Sequence, residues 1–200
     1  MKSQFEIKNH NEIKEILDKA TYGTLALCSN NIPYSVPINF VRIDDNIYFH
    51  GSKSGKKMKF IHNNSKASFS VVESYSMIQS YFSSDENLAC PATHFFKSVC
   101  INGDVKIITD YKQKVKALQA LMEKLQPEGL YKPLSDEVYK KMINATEVFM
   151  LKSDDIKGKI KLGQHLPKDR FDKIVKHLQN RNSEIDKKTI NSMIKTKGNI

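Results

Sequence analysis

At 200 residues, with 40% hydrophobic and 27% charged side chains, the chain has the composition of a soluble globular protein that can bury a real core. Its apolar runs are too short to span a bilayer, and the first residues lack the apolar stretch of a secretory leader, so the expected setting is cytoplasmic. Three cysteines, Cys28, Cys90 and Cys100, without CxxC spacing argue against a disulfide framework and a zinc site; Cys100 is expected in the core. The net charge of +10 is mostly Lys interleaved with Glu and Asp in helical patterns, with no helix-turn-helix signature, so nucleic acid is not the expected partner. A groove for anionic small molecules uses the same charge equally well.

Residues 9–20 read as an amphipathic helix with Asn11 as N-cap and Ile13, Ile16 and Leu17 on one face. Residues 21–28 form a strand, and Ser29-Asn30-Asn31 a tight turn. A second strand runs from Ile32 to Ile43. Pro37 inside it cannot donate to a ladder and marks an edge or a bulge. After Asp44-Asp45-Asn46 comes a third strand, 46–51.

That strand enters Gly51-Ser52-Lys53-Ser54-Gly55-Lys56-Lys57, a flexible basic turn at the start of a helix, 56–64. Glycine and serine let backbone N–H groups approach a ligand, and lysines at a helix start favour an anion. A phosphate suits this stretch, with His50 facing whatever the phosphate is attached to. An ordinary turn on a Lys-rich surface has the same composition, and both readings stand at this level.

A strand over 66–74 follows, then a loosely patterned segment, 75–95, with a loop at 83–87. The strand 95–109 contains Asn102-Gly103, read as a bulge or bend. A helix spans 111–125, a shorter one follows Ser135 over 135–143, and 146–152 is the last strand, with Ile156 starting a departure from the barrel. Short connections imply antiparallel pairing. The fold class expected is mainly β (α+β): a six-stranded antiparallel split β-barrel with flanking helices, over 1–156. A C-terminal helical extension, 157–200, would pack on the barrel or a partner subunit, through Phe171, Ile174, Val175 and Leu178, then Ile185, Ile190, Met193 and Ile194.

Over residues 10–152 the chain resembles the pyridoxamine 5′-phosphate oxidase-like, FMN-binding split-barrel superfamily, and within it the nitroimidazole-reductase (Nim-type) proteins. The matching pieces are Tyr22-Gly23-Thr24-Leu25-Ala26, Pro33 to Phe40, Ile47 to Gly51, Gly55-Lys56-Lys57, Phe69 to Val72 and Phe96 to Gly103, in that order. The resemblance implies a homodimer with FMN at the subunit interface. It implies that Ser52, Lys56 and Lys57 hold the FMN phosphate, with Gly51 also at the cofactor, and that Val36, Pro37, Ile38 and Asn39 run beside the isoalloxazine ring. It further implies Ser98 as a phosphate partner, Glu73 near the flavin edge, and His50 beside ring and substrate. Such sequences often carry His or Arg where this one has Lys56, which lacks a planar bidentate fork. The segment Lys159-Ile160-Lys161-Leu162-Gly163-Gln164 resembles the Lys-Leu-Ser-Gln end of FMN-binding negative regulators in the superfamily.

The function this implies is an FMN-dependent oxidoreductase passing electrons from a nicotinamide nucleotide to a small acceptor such as a nitroaromatic compound, with His50 catalytic. No GxGxxG fingerprint is present, so NAD(P)H would bind transiently against the flavin. The alternative is a flavin- or haem-binding protein of the same fold with a haem-handling or regulatory role, in which His165 and His177 could meet iron or propionates.

Overall fold

The computed structural model describes residues 1–83 and 88–198, so positions 84–87 of the expected loop lie outside the described residues. In chain order the elements are β1 (Glu6–Ile7), α1 (His10–Lys19), β2 (Gly23–Ser29), β3 (Ile32–Ile38), β4 (Val41–Ile43), β5 (Asn46–Gly51), α2 (Lys56–Asn63), β6 (Lys66–Ile78), β7 (Thr93–Ile108), α3 (Tyr111–Leu125), α4 (Lys140–Ala145), β8 (Glu147–Lys161), α5 (Lys168–Arg181) and α6 (Glu184–Lys197). The strands form one open sheet in the order β3-β2-β6-β7-β8-β5-β4, with β1 paired to β8.

This is the split-barrel class expected from the sequence, with eight strands where six were predicted. The expected strand 32–43 is two: β3 and β4 lie at opposite ends of the sheet order, separated in sequence by Asn39 and Phe40. The short strand β1 adds the eighth by pairing Glu6 with Lys159 and Ile7 with Gly158. Pro33 and Pro37 both lie in β3, a terminal strand, where a missing N–H costs no ladder bond on the open side.

The chain forms two compact units. One comprises residues 10–71 and 99–157, the other 1–9, 72–98 and 158–200. In the first, β2 and β3 form a hairpin through Asn30 and Asn31, whose φ values of 52° and 61° give the left-handed pair that a two-residue hairpin requires. Alternate residues of each strand turn inward. Leu25, Phe40, Ile47, Phe49, Phe69, Ile101, Phe149 and Leu151 are fully buried, and Ile13, Ile16 and Leu17 of α1 bury the stripe that the sequence periodicity predicts. Phe49 and Phe149 are directly opposed on β5 and β8 and stack at 4.9 Å; Phe40 meets Phe69 edge-on at 4.8 Å.

Four expectations are corrected here. β7 runs through Asn102-Gly103 without interruption. Gly103 is required for a different reason: a Cβ there would stand 1.9 Å from the Lys152 carbonyl oxygen, so close backbone approach excludes any side chain. Cys100 is exposed on its strand, with its thiol 3.5 Å from the Ser68 hydroxyl, and Cys28 and Cys90 are exposed too. Periodicity across β7 explains this, since Val99 and Ile101 take the inward positions. Finally, Asn11 lies inside α1, and the cap expected of Ser135 belongs to Asp136, which accepts from the Val138 N–H at the start of a short 3₁₀ turn before α4.

In the other unit, α5 and α6 form the helical pair the tail patterns predict, and β8 extends to Lys161, beyond the expected end at Lys152. A buried polar network ties the hairpin to β6. Asp186, fully buried, accepts from Arg181 Nε at 2.9 Å, Arg181 Nη2 at 2.5 Å, Ser76 Oγ at 2.6 Å and Ser183 Oγ at 2.6 Å. Arg181 also donates to the Met77 carbonyl at 3.1 Å and to Gln79 at 2.8 Å. Ser183 and Asp186 complete a capping box at the start of α6.

Candidate functional site

β5 delivers its last residues, His50 and Gly51, to the turn before α2. The turn is built by Ser52 and Ser54: the Ser54 N–H donates to Ser52 Oγ at 3.2 Å, and the two hydroxyls are 3.3 Å apart. Gly55 follows in the left-handed region with φ 105°, and its carbonyl accepts the first bond of α2 from Lys59. No side chain caps α2, so its first N–H groups keep their partial positive charge at a basic turn.

The two lysines at this helix start take different neighbours. Lys57 folds back toward β5. Its ammonium is 3.4 Å from the His50 carbonyl, to which it donates, and 5.3 and 5.2 Å from the centres of the stacked Phe49 and Phe149 rings. A Cβ on Gly51 would lie 2.5 Å from that ammonium, so the bare glycine is what lets the charge settle over the backbone. Lys56 instead covers an aromatic pair: its ammonium is 4.8 Å from the Tyr34 ring and 5.6 Å from Phe60, rings themselves 5.3 Å apart. Among the described residues no carboxylate forms a salt bridge with Lys53, Lys56 or Lys57.

Burial lowers the Lys57 pKa because desolvation penalises its charge. His50 is also lowered, first by desolvation and then by the Lys57 charge. Both effects favour the neutral imidazole at neutral pH. The His50 ring is therefore expected to titrate below the ordinary value of about 6.5, and Lys57→Ala to raise it. Imidazole proton shifts followed against pH check this; an unchanged midpoint in the variant would mean that the cation does not act on the ring.

β3 presents Val36 and Ile38 half-buried and Pro37 exposed, in register with Leu25, Gly23 and Thr24 respectively. As a terminal strand it leaves one row of backbone groups without a sheet partner. Asn39, next along, donates from its amide to the Thr21 carbonyl at 3.1 Å. The structure thus groups His50, Gly51 and Lys57 tightly, places Ser52 within the turn itself, and sets Lys56 on Tyr34 of β3.

Glu73 and Ser98 belong to the other unit. The Glu73 carboxylate is paired with Lys188 of α6 at 2.9 Å, and Ser98 is half-buried on β7. The histidines of the haem reading are engaged in packing there: His177 stacks on Phe82 at 4.6 Å and meets Tyr81 edge-on, while His165 meets Phe5 edge-on at 5.0 Å. Among the described residues no group of three or more His, Cys, Asp or Glu could hold a metal ion. No helix among them is long and apolar enough to cross a membrane.

Sequence reasoning missed Tyr34, Phe60 and Phe149. Tyr34 and Phe60 carry a faint signal, an aromatic on an edge strand and one at i+4 from Lys56. Phe149 carries none, because only strand register opposes it to Phe49.

Comparison with known proteins follows the same lines. Residues 9–160 match the family pattern described as pyridoxamine 5′-phosphate oxidase. No curated protein sequence matches the chain. Among solved structures, a protein named for 5-nitroimidazole antibiotic resistance from Bacteroides thetaiotaomicron is similar with a TM-score of 0.64 at 19% identity, covering 78% of this chain and 86% of that one. A flavocytochrome from Azotobacter vinelandii gives a TM-score of 0.64 at 24% identity over 78% and 69%. An FAD- and haem-binding protein from Mycobacterium smegmatis gives 0.65 at 21% identity over 86% and 79%. At these identities the structural likeness carries the fold.

Proposed function

The chain belongs to the pyridoxamine 5′-phosphate oxidase family, and from that premise we propose that it is an FMN-dependent oxidoreductase, a cytoplasmic homodimer with FMN at the subunit interface, that passes electrons from a nicotinamide nucleotide to a small acceptor of the nitroaromatic class. The observation that carries this reading is Lys57: a desolvated ammonium over bare backbone at Gly51, beside His50, with no carboxylate bridged to it among the described residues. A half-buried ammonium whose hydrogen-bond partner is a neutral carbonyl gains when an anion joins it. A phosphate group would supply the missing charge, and the uncapped start of α2 would add backbone N–H donors.

The other residues fit the same guest. Lys56 would reach the phosphate from the Tyr34–Phe60 side. The β3 edge from Val36 to Asn39 would border a planar ring, with Pro37 facing it without an N–H to satisfy. When bound, the isoalloxazine ring supplies the two-electron chemistry. The protein's part is to hold, to orient and to handle a proton. His50, neutral at neutral pH, would donate a hydrogen bond from its ring N–H to the acceptor and keep a second nitrogen to take up a proton.

The similar structures of a flavocytochrome and of an FAD- and haem-binding protein support a flavin in this fold. The absorbance spectrum of the protein as purified is expected to show flavin bands that bleach anaerobically on addition of NADH or NADPH and return when a nitroaromatic compound is added. A protein that neither carries nor takes up a flavin would overturn the reading. A flavin that stays oxidised with both nucleotides would overturn the donor.

A further inference from the structure

The turn before α2 has an acid within reach that it does not use. Gly51, the last residue of β5, lies directly opposite Glu147, the first residue of β8. Directly opposed residues of an antiparallel pair point to the same face, with their Cβ positions roughly 4.5–5.5 Å apart. A Cβ on Gly51 would stand 2.5 Å from the Lys57 ammonium. The Glu147 Cβ is therefore near enough for its carboxylate to reach that ammonium by rotation about its own side-chain bonds. Phe149, two residues on, marks the same face: one of its ring carbons is 3.7 Å from the same Gly51 position, and the ring centre is 5.2 Å from the Lys57 ammonium.

Glu147 turns instead to Lys114 of α3. The Lys114 ammonium donates to the Glu147 carboxylate at 3.3 Å and to the Thr146 carbonyl at 2.9 Å. Both side chains of this pair are largely buried, 8% and 14% exposed. Lys114 lies near the start of α3, whose Ala117 and Leu118 pack with Val148 and Tyr48, so the helix sets the ammonium against the beginning of β8. Lys57, by contrast, donates to the neutral His50 carbonyl, and burial lowers its pKa without a carboxylate to oppose the shift. Gly51, Lys57, Lys114 and Glu147 all belong to one compact unit.

We propose that Lys114 is a positioning residue for the anion site: it holds the Glu147 carboxylate away from Lys57 and so keeps the Lys57 ammonium open to a phosphate. Without Lys114, a largely buried carboxylate loses its counter-charge, and Lys57 across the bare Gly51 backbone becomes its partner. The acid would then close the site from within. This rests on the phosphate reading of the turn, and the test separates the two.

Inorganic phosphate is titrated into the full chain and its variants. In parallel, without phosphate, the Lys57 ε-methylene signal, identified by its loss in Lys57→Arg, is followed against pH by NMR. Lys114→Met is expected to weaken phosphate binding about tenfold, and adding Glu147→Gln to restore it to within about twofold of wild type. The Lys57 midpoint is expected to rise in Lys114→Met and to fall back in the double variant. Glu147→Gln alone should leave the affinity unchanged, because Lys114 already withholds the acid, and Lys114→Arg should keep it by keeping the pair. Lys114→Gln, which can still donate to the Thr146 carbonyl, takes the place of Lys114→Met if that variant does not fold, with the same expectations. A loss of affinity that Glu147→Gln does not repair would make Lys114 structural only and overturn the proposal. So would a Lys57 midpoint unmoved by loss of Lys114, or tighter binding in Glu147→Gln alone. A wild-type chain that binds no phosphate, while the Lys57 midpoint still rises in Lys114→Met, would overturn the phosphate reading and leave the placing of Glu147 standing.

Discussion

Replacing Lys56 and Lys57 together by alanine is expected to weaken FMN binding about 100-fold while leaving the protein folded. Each lysine offers a charge-assisted bond to phosphate worth about 1.5–3 kcal/mol when desolvated, and less where water competes. The two are not equivalent. Lys57 is half-buried over Gly51 and the Phe49–Phe149 stack, whereas Lys56 is exposed on Tyr34 and Phe60. Lys57→Ala alone should therefore carry most of the loss. Folding should survive because neither lysine forms a salt bridge among the described residues, and removing Lys57 lifts a desolvated charge from the aromatic stack. Fluorescence titration with FMN and a denaturant melt measure the two effects separately. Unchanged affinity in the double variant would remove the phosphate from this turn.

Asp186→Ala is expected to destabilise the protein by about 3 kcal/mol, because it leaves the Arg181 guanidinium facing a buried position without its counter-ion. The fully buried carboxylate accepts five hydrogen bonds, from two Arg181 nitrogens, the Ser76 and Ser183 hydroxyls and the Ser183 N–H. Arg181 itself is one-third exposed, which keeps the loss below that of a wholly buried pair. The effect depends on pH with a definite sign. The Arg181 hydrogen bond and those of Ser183 and Ser76 hold the Asp186 carboxyl well below the usual carboxylate range. Its contribution is thus fully present above the unfolded pKa of about 3.9 and is lost as pH falls through that value toward the lowered folded one. The gap between wild type and variant, read by urea unfolding at about pH 7 and about pH 3, should narrow at the lower pH. An equal gap at both would mean that the charge is not what stabilises the hairpin.

Some of the candidate site could be read from residue types alone. A glycine, serine and lysine turn after a strand announces a flexible anion-seeking backbone whatever surrounds it, and Pro37 announces an edge because it has no N–H. The structure bears out the bent backbone, with Gly55 at a left-handed φ, and the edge, with β3 a terminal strand. Other readings failed where a local pattern has two tertiary solutions. Asn102-Gly103 reads as a bend, yet the glycine is there because the Lys152 carbonyl oxygen comes too close for any side chain. Cys100 reads as core by residue type, and strand alternation places it outside.

The sequence by itself determined the class of fold, most of its strands and helices, and the basic turn with His50 before it, because hydrophobic period and turn chemistry act over a few residues; it did not separate β3 from β4 or find β1. Only the tertiary structure decided what that turn's charges do. Register across β5 and β8 opposes Phe49 to Phe149, and on that stack, over the bare backbone of Gly51, Lys57 is half-buried and its pKa lowered. Desolvation depends on partners distant in sequence, and that is why two neighbouring lysines in the chain become one partly buried charge and one exposed one in the fold.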